Sequence, residues 1–294
     1  MCYDIIILIN CKGMEKLNNK FKNLPPYSIY MSVYKGEKSE YLKESMESMF
    51  NQTYPADEFV LICDGPLTNE LDEVINHYKS KYPNTLNVIR LDKNIGTGQC
   101  ANMGIDICKN EYIVKMDSDD IALSERCEKQ MRLMQSNPNL TMCGGYIREF
   151  DTNTQETIAI KKTPSKNSEI RQFARRRNPF NNQTLVFKKS MAKAIGGYSS
   201  IKRCEDYDFV VNMLRNGAIG ENIPEVLVDY RVNKDNYARR QNWANTKSFI
   251  NVRWKIFRSG YSNIIDFIVP CAMQMMIFIL PKKLTAKIYK KFLR

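Results

Sequence analysis

Histidine is nearly absent from this sequence, because His77 is the only one in 294 residues. It lies in a segment of helical periodicity among lysine, glutamate and asparagine residues, which predicts a solvated surface position. A single histidine cannot supply a metal site of several imidazoles. The sequence therefore argues against a histidine-based catalytic triad and against a multi-histidine metal site.

Paired cysteine spacing is missing as well. The nine cysteines form an odd-numbered set without any C-x-x-C pair, which argues against a disulfide framework and against a structural zinc site. Most of them are expected to be small core residues in a reducing compartment. The nine are Cys2, Cys11, Cys63, Cys100, Cys108, Cys127, Cys143, Cys204 and Cys271.

The first residues lack the long apolar run of a secretory signal. The apolar stretch at residues 5–9 is too short for such a signal, and no basic segment precedes it. We interpret residues 1–26 as a variable extension that ends at Pro25 and Pro26. The sequence thus gives no indication of export.

Acidic residues are outnumbered by basic ones, 32 against 44, so the formal net charge is +12. A basic balance fits nucleic acid, an anionic membrane surface or phosphorylated substrates, and it does not choose among them. The length allows one large α/β domain with a small appendage, or two small domains.

Short apolar runs alternate with helix-length segments in the first half of the chain. Strands are predicted at residues 28–34, 59–63, 86–91 and 112–116, with helices between them at 41–50, 71–82 and up to about 108. This alternation predicts an α/β fold with a mostly parallel sheet covered by helices.

The pattern changes after about residue 137. A hairpin is predicted from residues 143–150 and 157–160, followed by a strand at 184–187, a helix at 206–215 and a last strand at 226–228. Gly217 is placed to end that helix. From about residue 236 the sequence is helical and basic.

Acidic residues follow two of the predicted strands. Asp64 ends the second strand, and Asp117, Asp119 and Asp120 follow the fourth within four residues. Ligands of parallel α/β sheets bind beyond the carboxyl ends of the strands. Carboxylates so close together repel each other, and a divalent cation shared with a diphosphate would offset that repulsion. The alternative is an aspartate-rich turn that caps the next helix.

A second acidic pair, Glu205 and Asp206, opens the predicted helix at 206–215, just after Gly196, Gly197 and Tyr198. Acids at a helix N-terminus are favoured by the helix dipole, so capping alone could explain the pair. The functional interpretation is a general base that accepts a proton from an acceptor hydroxyl.

The order and spacing of several short motifs resemble glycosyltransferase family 2, of the type that builds bacterial capsular polysaccharide, exopolysaccharide or lipopolysaccharide. The resemblance runs from about Ser28 to Arg231 and continues more weakly into the C-terminal region. The motifs that carry it are residues 31–34 (MSVY), 48–54 (SMFNQTY), 63–66 (CDGP), 94–96 (NIG), 101–104 (ANMG), 116–120 (MDSDD), 196–198 (GGY) and 205–208 (EDYD).

The resemblance implies a GT-A fold, a nucleotide-sugar-binding domain over residues 27–235, and a C-terminal helical region over residues 236–294. It implies that Asp64 holds the uracil of a UDP-sugar and that Asp119 is the direct ligand of Mn²⁺ or Mg²⁺. Asp206 would be the catalytic base, with Glu205 beside it, and the anomeric centre would be inverted. The donor-binding residues would be Ser32, Tyr34, Asp64, Gly96, Asn102 and Asp117, the last facing the ribose or a metal-bound water.

Two departures from the family pattern bear on function. Relatives often have histidine where Gln183 stands here, and glutamine cannot replace it by titration. Processive members have a Q-x-x-R-W motif, and this chain has Arg253 and Trp254 but Ile250 in place of the glutamine. We therefore predict a non-processive enzyme that adds one sugar to each acceptor.

Two other classes of protein compete with this interpretation. Residues 96–101 match G-x-G-x-x-A with Asp117 about twenty residues on, as in an NAD(P)-dependent oxidoreductase, although four residues separate the strand from the first glycine. The second class is a non-enzymatic protein that binds RNA or anionic lipid through the dense basic stretch of Arg171, Arg175, Arg176 and Arg177. The same stretch could be a solvated helix face, or it could receive a pyrophosphate-linked lipid acceptor in the glycosyltransferase interpretation. We expect no nucleic acid partner.

The C-terminal region combines an apolar run with a basic tail. Residues 267–280 are apolar except for Gln274, and Pro270 interrupts them, so the run is barely long enough to span a membrane. Lysines and arginines without acids follow from residue 282. This pattern predicts an interfacial helix on an anionic cytoplasmic leaflet, and hence a peripheral protein on the inner face of the cell membrane, near a glycan or lipid-linked oligosaccharide acceptor. A packed core helix with a solvated tail is the alternative.

Overall fold

The computed structural model describes residue 21, residues 23–232 and residues 242–280. The strands of this part are β1 (Tyr27–Val33), β2 (Glu58–Cys63), β3 (Leu86–Arg90), β4 (Tyr112–Asp117), β5 (Ile121–Ala122), β6 (Met142–Asp151), β7 (Thr157–Lys161), β8 (Val186–Lys188) and β9 (Gly220–Val232). They form one sheet in the order β3-β2-β1-β4-β8-β6-β9-β5, and β7 pairs with β6.

The helices are α1 (Ser39–Phe50), α2 (Asn69–Lys81), α3 (Thr97–Ile107), α4 (Arg126–Ser136), α5 (Asn167–Phe173), α6 (Lys189–Ala194), α7 (Glu205–Arg215), α8 (Trp243–Arg258) and α9 (Ile264–Ile279). The first three alternate with β1–β4, which pair in parallel. The mostly parallel α/β sheet predicted from the sequence is therefore confirmed.

Both faces of the sheet are covered, because alternate side chains of each strand point to opposite sides. On β1, Tyr27, Ile29 and Met31 belong to a core packed under α1, α2 and α4. Tyr30 faces the other side, in a core with α3, α7 and α8. This arrangement leaves the carboxyl ends of β1, β2 and β4 together at one edge.

The second half of the sheet is antiparallel or mixed. β4 pairs with β8 antiparallel, β8 with β6 antiparallel, and β6 with β9 in parallel. The predicted hairpin is confirmed as β6 and β7. The strand predicted at 184–187 is instead a 3-10 turn, Asn182–Thr184, followed by β8, because the Thr184 hydroxyl donates to the Asn181 carbonyl and tightens the chain there.

Five cysteines among the described residues are small core residues, as the sequence predicts. The thiols of Cys63, Cys100, Cys108, Cys127 and Cys143 are buried and form no disulfides. His77 is exposed on α2 with its ring edge against Tyr78. Most of the variable extension at 1–26 lies outside the described residues, but Phe21 is buried with its ring 5.1 Å from that of Tyr54.

Candidate active site

A cavity of about 790 Å³ opens where β1, β2 and β4 end. This volume falls in the range of small-molecule sites, roughly 300–1,000 Å³. Four predicted donor or metal residues line it on the strand ends, namely Ser32, Asp64, Asp117 and Asp119, and Tyr34 and Gly96 line it as well. The topology therefore brings together groups that lie up to 87 positions apart in the sequence, from Ser32 to Asp119.

Asp64 is fixed by the loop that precedes α3. Its carboxylate accepts hydrogen bonds from the backbone amides of Ile95, at 2.6 Å, and Gly96, at 3.1 Å, and from the Asn94 side chain at 2.9 Å. Gly96 has a φ of +89°, which a side chain would disfavour. The 63–66 and 94–96 motifs thus form one rigid wall of the cavity. Asp64 therefore has a structural role in addition to its predicted contact with uracil.

Asp117, the last residue of β4, is held on two sides. Its carboxylate forms an ion pair with the buried ammonium of Lys115, two residues earlier on the same face of the strand. Its carbonyl accepts from the Ser45 hydroxyl of α1 at 2.9 Å. The first aspartate of the D-x-D pair is therefore oriented before any ligand binds.

Asp119 is surrounded by negative charge. Burial, followed by the charges of Asp117 and Glu37, raises the pKa of its carboxyl to about 7. Glu37 is anchored nearby, since the Ser118 hydroxyl donates to its carboxylate at 2.8 Å. A carboxyl in this setting gains when a cation enters, which is the electrostatic requirement of a metal ligand.

The loop that carries Asp119 is clamped by Arg231 of β9. The Arg231 guanidinium donates to the Asp119 carbonyl at 2.8 Å, pairs with Glu44 of α1 and lies 4.1 Å from the centre of the Tyr41 ring. Its backbone amide donates to the Asp120 carboxylate at 2.9 Å. The D-x-D loop is therefore locked to both neighbouring elements.

The carboxylates of the site fit a metal ion whose coordination shell is completed by the substrate. Within the described ranges, no three His, Cys, Asp or Glu side chains converge closely enough to enclose a metal ion. Mg²⁺ in nucleotide sites typically takes one or two carboxylates and completes its shell with phosphate and water. Asp117 and Asp119 facing one cavity match that pattern.

Asp206, the predicted catalytic base, and its neighbour Glu205 lie in the first turn of α7. Asp206 accepts a hydrogen bond from the Asn178 side chain at 3.1 Å, and it is not among the residues that line the donor cavity. Burial raises the pKa of Glu205, with smaller contributions from Asp206 and Asp117, while the charge of Lys115 opposes the rise. The charges of Asp117 and Lys115 thus act on the Glu205 carboxyl, whereas Asp206 is held by Asn178.

Asn102 occupies a different place from the predicted one. Its side-chain oxygen accepts from the Tyr198 amide at 2.7 Å, and its nitrogen donates to the Tyr198 carbonyl at 2.9 Å. A side chain at Gly197 would collide with it, at 2.2 Å. Both polar groups of Asn102 are thus used to hold the 196–198 turn ahead of α7, and it does not line the cavity.

Gln183, which replaces the histidine of many relatives, lines the cavity beside Asn182. It lies in the 3-10 turn before β8. Asp151, the last residue of β6, and Asn153, from the turn that follows, line the same cavity. All of these polar side chains can contact a bound sugar, and the amides among them do not titrate near neutral pH.

The basic stretch is largely engaged within the fold. The Arg171 guanidinium donates to the carbonyls of Leu214 and Ala218. Arg175 and Arg176 both pair with Asp266 of α9, at 2.5 and 2.6 Å. Arg171 thus links α5 to the end of α7, and Arg175 and Arg176 link the same stretch to α9, which leaves little support for an RNA-binding surface here.

The glycine run of the dinucleotide fingerprint is also misplaced for that role. β3 ends at Arg90 and α3 begins at Thr97, so a six-residue loop separates them. The loop closes on Asp64 rather than forming the tight turn that a dinucleotide site requires. The oxidoreductase alternative has no support from the fold.

A family model described as "Glycosyl transferase family 2" matches residues 28–195 of this chain. The chain belongs to glycosyl transferase family 2. The match covers the D-x-D loop, Gln183 and every residue that lines the cavity except Tyr230 and Val232, and it ends just before the turn that leads to Glu205 and Asp206.

Relatives of this glycosyltransferase extend over nearly the whole chain. It is 33% identical over 92% of its length to the UDP-Gal:alpha-D-GlcNAc-diphosphoundecaprenol beta-1,3-galactosyltransferase of Escherichia coli, and covers 97% of that protein. It is 36% identical over 77% of its length to the amylovoran biosynthesis glycosyltransferase AmsE of Erwinia amylovora, and covers 84% of it.

Solved structures show that the glycosyltransferase has the GT-A fold. The mannosyltransferase PcManGT from Pyrobaculum calidifontis, in complex with GDP-Man and Mn²⁺, superimposes with a TM-score of 0.62 over 90% of this chain and 72% of its own, at 14% identity. S. aureus TarS in complex with UDP-GlcNAc gives 0.61 over 91% and 71%, at 16% identity. The fold therefore accommodates more than one nucleotide base.

Proposed function

We propose that this glycosyltransferase moves a sugar from a UDP-sugar to a hydroxyl of a lipid-linked glycan in surface polysaccharide biosynthesis. The observation that carries the proposal is the convergence of Asp64, Asp117 and Asp119 on one cavity. The choice of UDP and of a diphosphate-linked acceptor is supported by the name of the Escherichia coli relative.

The reaction divides between two sides of the site. Asp64 and its loop hold the nucleotide, with Ser32 and Tyr34 beside the base. Asp117 and Asp119 would hold Mn²⁺ or Mg²⁺, which supplies charge stabilisation for the departing diphosphate. The acceptor oxygen forms a bond to the anomeric carbon while its proton passes to Asp206, and the bond from that carbon to the diphosphate oxygen breaks with inversion.

The C-terminal motif supports transfer of one sugar at a time. Arg253 is buried, donates to the Arg176 carbonyl at 3.0 Å and stacks on the rings of Phe249 and Tyr207. Its guanidinium thus joins the helical region to the preceding domain, and Ile250 has no polar side-chain group. We take residues 27–235 as the catalytic domain and 236–294 as the appended helical region.

Titration of the wild-type protein with nucleotides tests the donor assignment. In the presence of Mn²⁺, we expect UDP to bind at least tenfold more tightly than GDP, because a site that forms hydrogen bonds to uracil leaves those groups unpaired when guanine binds. EDTA should weaken UDP binding by a similar factor. Calorimetry measures both, and equal affinities for UDP and GDP would contradict the UDP assignment while leaving the transferase class intact.

The C-terminal helices support a place on a membrane surface. Among the described residues, no helix is both long and apolar enough to cross a bilayer. α9 nevertheless exposes an apolar face, while Asp266, Gln274 and Ile277 on its other side are buried. The exposed residues, with two tryptophans of α8, are Ile264, Ile265, Ile268, Val269, Met273, Met276, Ile279, Trp243 and Trp254.

Such an exposed apolar face on a small protein marks an interaction surface. The basic residues from Lys282 to Arg294 follow it directly in sequence and lie outside the described residues. An apolar helix face next to a run of cations is the composition of an interfacial anchor on anionic lipid. We place the enzyme on the cytoplasmic face of the cell membrane, where a lipid-linked acceptor would reach Asp206.

Replacing Ile265, Ile268 and Met276 together by serine should detach the enzyme from membranes. Loss of several buried methylene groups, each worth about 0.8 kcal/mol in lipid, lowers binding to anionic vesicles by at least tenfold. Vesicle sedimentation measures the bound fraction, and deletion of residues 281–294 should have a similar effect. Ile160→Ser on β7, whose side chain is also half exposed, is the matched control. Undiminished sedimentation of both variants would refute the anchor.

A further inference from the structure

A buried lysine lies in the middle of the apolar strand before the D-x-D loop. Lys115 of β4 is 3% exposed, which is rare for lysine unless its charge is paired. Its ammonium pairs with the Asp117 carboxylate and borders the donor cavity. Neither the family motifs nor the predicted site residues include it.

The sheet register fixes where this charge lies. In the parallel pairing of β1 and β4, Tyr30 is opposite Lys115 and Ser32 is opposite Asp117. Lys115 therefore lies two residues before Asp117 on β4, on the same face of the sheet and farther from the carboxyl end of the strand. From that place its charge also acts on Glu205, since it opposes the rise in the pKa of that carboxyl.

The charge of Lys115 thus acts both on Asp117, a predicted metal ligand, and on Glu205 of the predicted catalytic acids. In the proposed reaction, the bond that breaks joins the sugar to a diphosphate that Asp117 and Asp119 would hold through a metal. The two lysines that line the cavity are Lys38 and Lys115, and Lys38 is exposed and rests on the Tyr41 ring. Lys115 is the buried cation of the lining.

We propose that Lys115 binds the distal phosphate of the nucleotide sugar and stabilises the nucleoside diphosphate as it leaves. This inference rests on the proposed function. Without a donor, Asp117 satisfies the ammonium. If Asp117 held a divalent cation, the Lys115 ammonium would lose its partner and would need another anion, which the distal phosphate would provide. As the bond from the anomeric carbon to phosphate oxygen breaks, the electron pair remains on that oxygen, next to Lys115.

The test compares UDP with UMP, which lacks the distal phosphate. In wild-type protein with Mn²⁺, UDP should bind more tightly than UMP. Lys115→Met should weaken UDP binding by roughly 10- to 100-fold, the usual value of a hydrogen bond to a charged group, and change UMP binding by less than about twofold. Lys115→Arg, which keeps the charge, should retain most of the preference for UDP.

Binding of UMP serves as the folding control within the same experiment. If Lys115→Met does not bind UMP, Lys115→Gln is used, since glutamine can still donate to Asp117 without a charge. A variant that binds UMP normally and keeps the wild-type preference for UDP would overturn the inference. If Lys115→Gln melts at the wild-type temperature but loses UDP and UMP affinity equally, the inference is also overturned. Wild-type protein that binds neither nucleotide would contradict the proposed function instead.

Discussion

Replacing Asp119 by asparagine is expected to lower the rate of sugar transfer by roughly 100- to 1,000-fold, the usual cost of removing one group that stabilises a leaving oxyanion. The same change should make UDP binding indifferent to Mn²⁺. Calorimetric titration of UDP in Mn²⁺ and in EDTA, together with the transfer rate to a diphosphate-linked lipid acceptor, measures both effects.

The physical reason lies in the charges around Asp119. Its carboxyl is half-buried and faces Asp117 and Glu37, so its pKa is raised to about 7 and its ionised form is unfavourable without a cation. An asparagine removes the charge that a metal needs, and it also removes the repulsion. The variant should therefore be at least as stable as wild type above neutral pH, where the wild-type carboxyl is charged.

The melting temperature distinguishes a loss of metal binding in Asp119→Asn from a failure of the variant to fold. Thermal unfolding at pH 8 should give the Asp119→Asn protein a melting temperature equal to or above that of wild type. Asp106→Asn is the matched control, because Asp106 lies on α3 with a side chain 72% exposed and pairs only with Lys193 among the described contacts. Full metal-dependent UDP binding by Asp119→Asn would remove this residue from the metal site.

The first half of the fold could be predicted from sequence because local pattern and tertiary structure agree there. Each apolar run of β1–β4 is bounded by turn residues, and each intervening helix has its own periodicity. β9 could not be predicted at its full length of 13 residues. Pro224 interrupts its apolar pattern, and the structure tolerates it through a register shift opposite Gly145 and Tyr146.

The same contrast holds for the site. The acidic residues could be predicted because each stands directly after a strand or at a helix start. Arg231 has no local signal, since its partners Asp119 and Glu44 lie on elements more than 100 residues away in the sequence. Lys115 did have one, because a lone lysine within the apolar strand Tyr112–Asp117 indicates a buried charge with a partner.

Asn102 shows the limit of a motif read by itself. The family resemblance of residues 101–104 made it a candidate for binding the donor, yet its side-chain amide is hydrogen-bonded to both the backbone amide and the carbonyl of Tyr198. The contact bridges 96 residues, so only the folded chain reveals it. The 101–104 and 196–198 motifs are thereby one structural unit that presents α7 to the site.

Asp206→Asn is the second change with a large expected effect. We expect transfer to slow by about 10²- to 10⁴-fold, the contribution of a positioned general base. UDP affinity should stay within about twofold of wild type, because Asp206 lies outside the residues that line the donor cavity. Rapid-quench measurement of one turnover, beside calorimetry with UDP, separates the two quantities.

Fold stability is little affected by this substitution. Asp206 lies in the first turn of α7, where its charge gains from the helix dipole by about 0.3–1 kcal/mol, and asparagine gives up only that gain. Asparagine also keeps an oxygen that can accept from Asn178. A slow but folded enzyme with normal donor binding is therefore the expected phenotype, and it differs from that of Asp119→Asn in keeping the response to metal.

Glu205→Gln decides which of the two acids takes the proton. The charges of Asp117 and Lys115 act on the pKa of Glu205, whereas Asp206 accepts a hydrogen bond from the Asn178 side chain. Deprotonation of an acceptor must occur on the side opposite the leaving diphosphate in an inverting reaction. We therefore expect Glu205→Gln to slow transfer less than Asp206→Asn does. The reverse order, with UDP affinity intact in both variants, would assign the base to Glu205 and place the acceptor closer to the D-x-D loop.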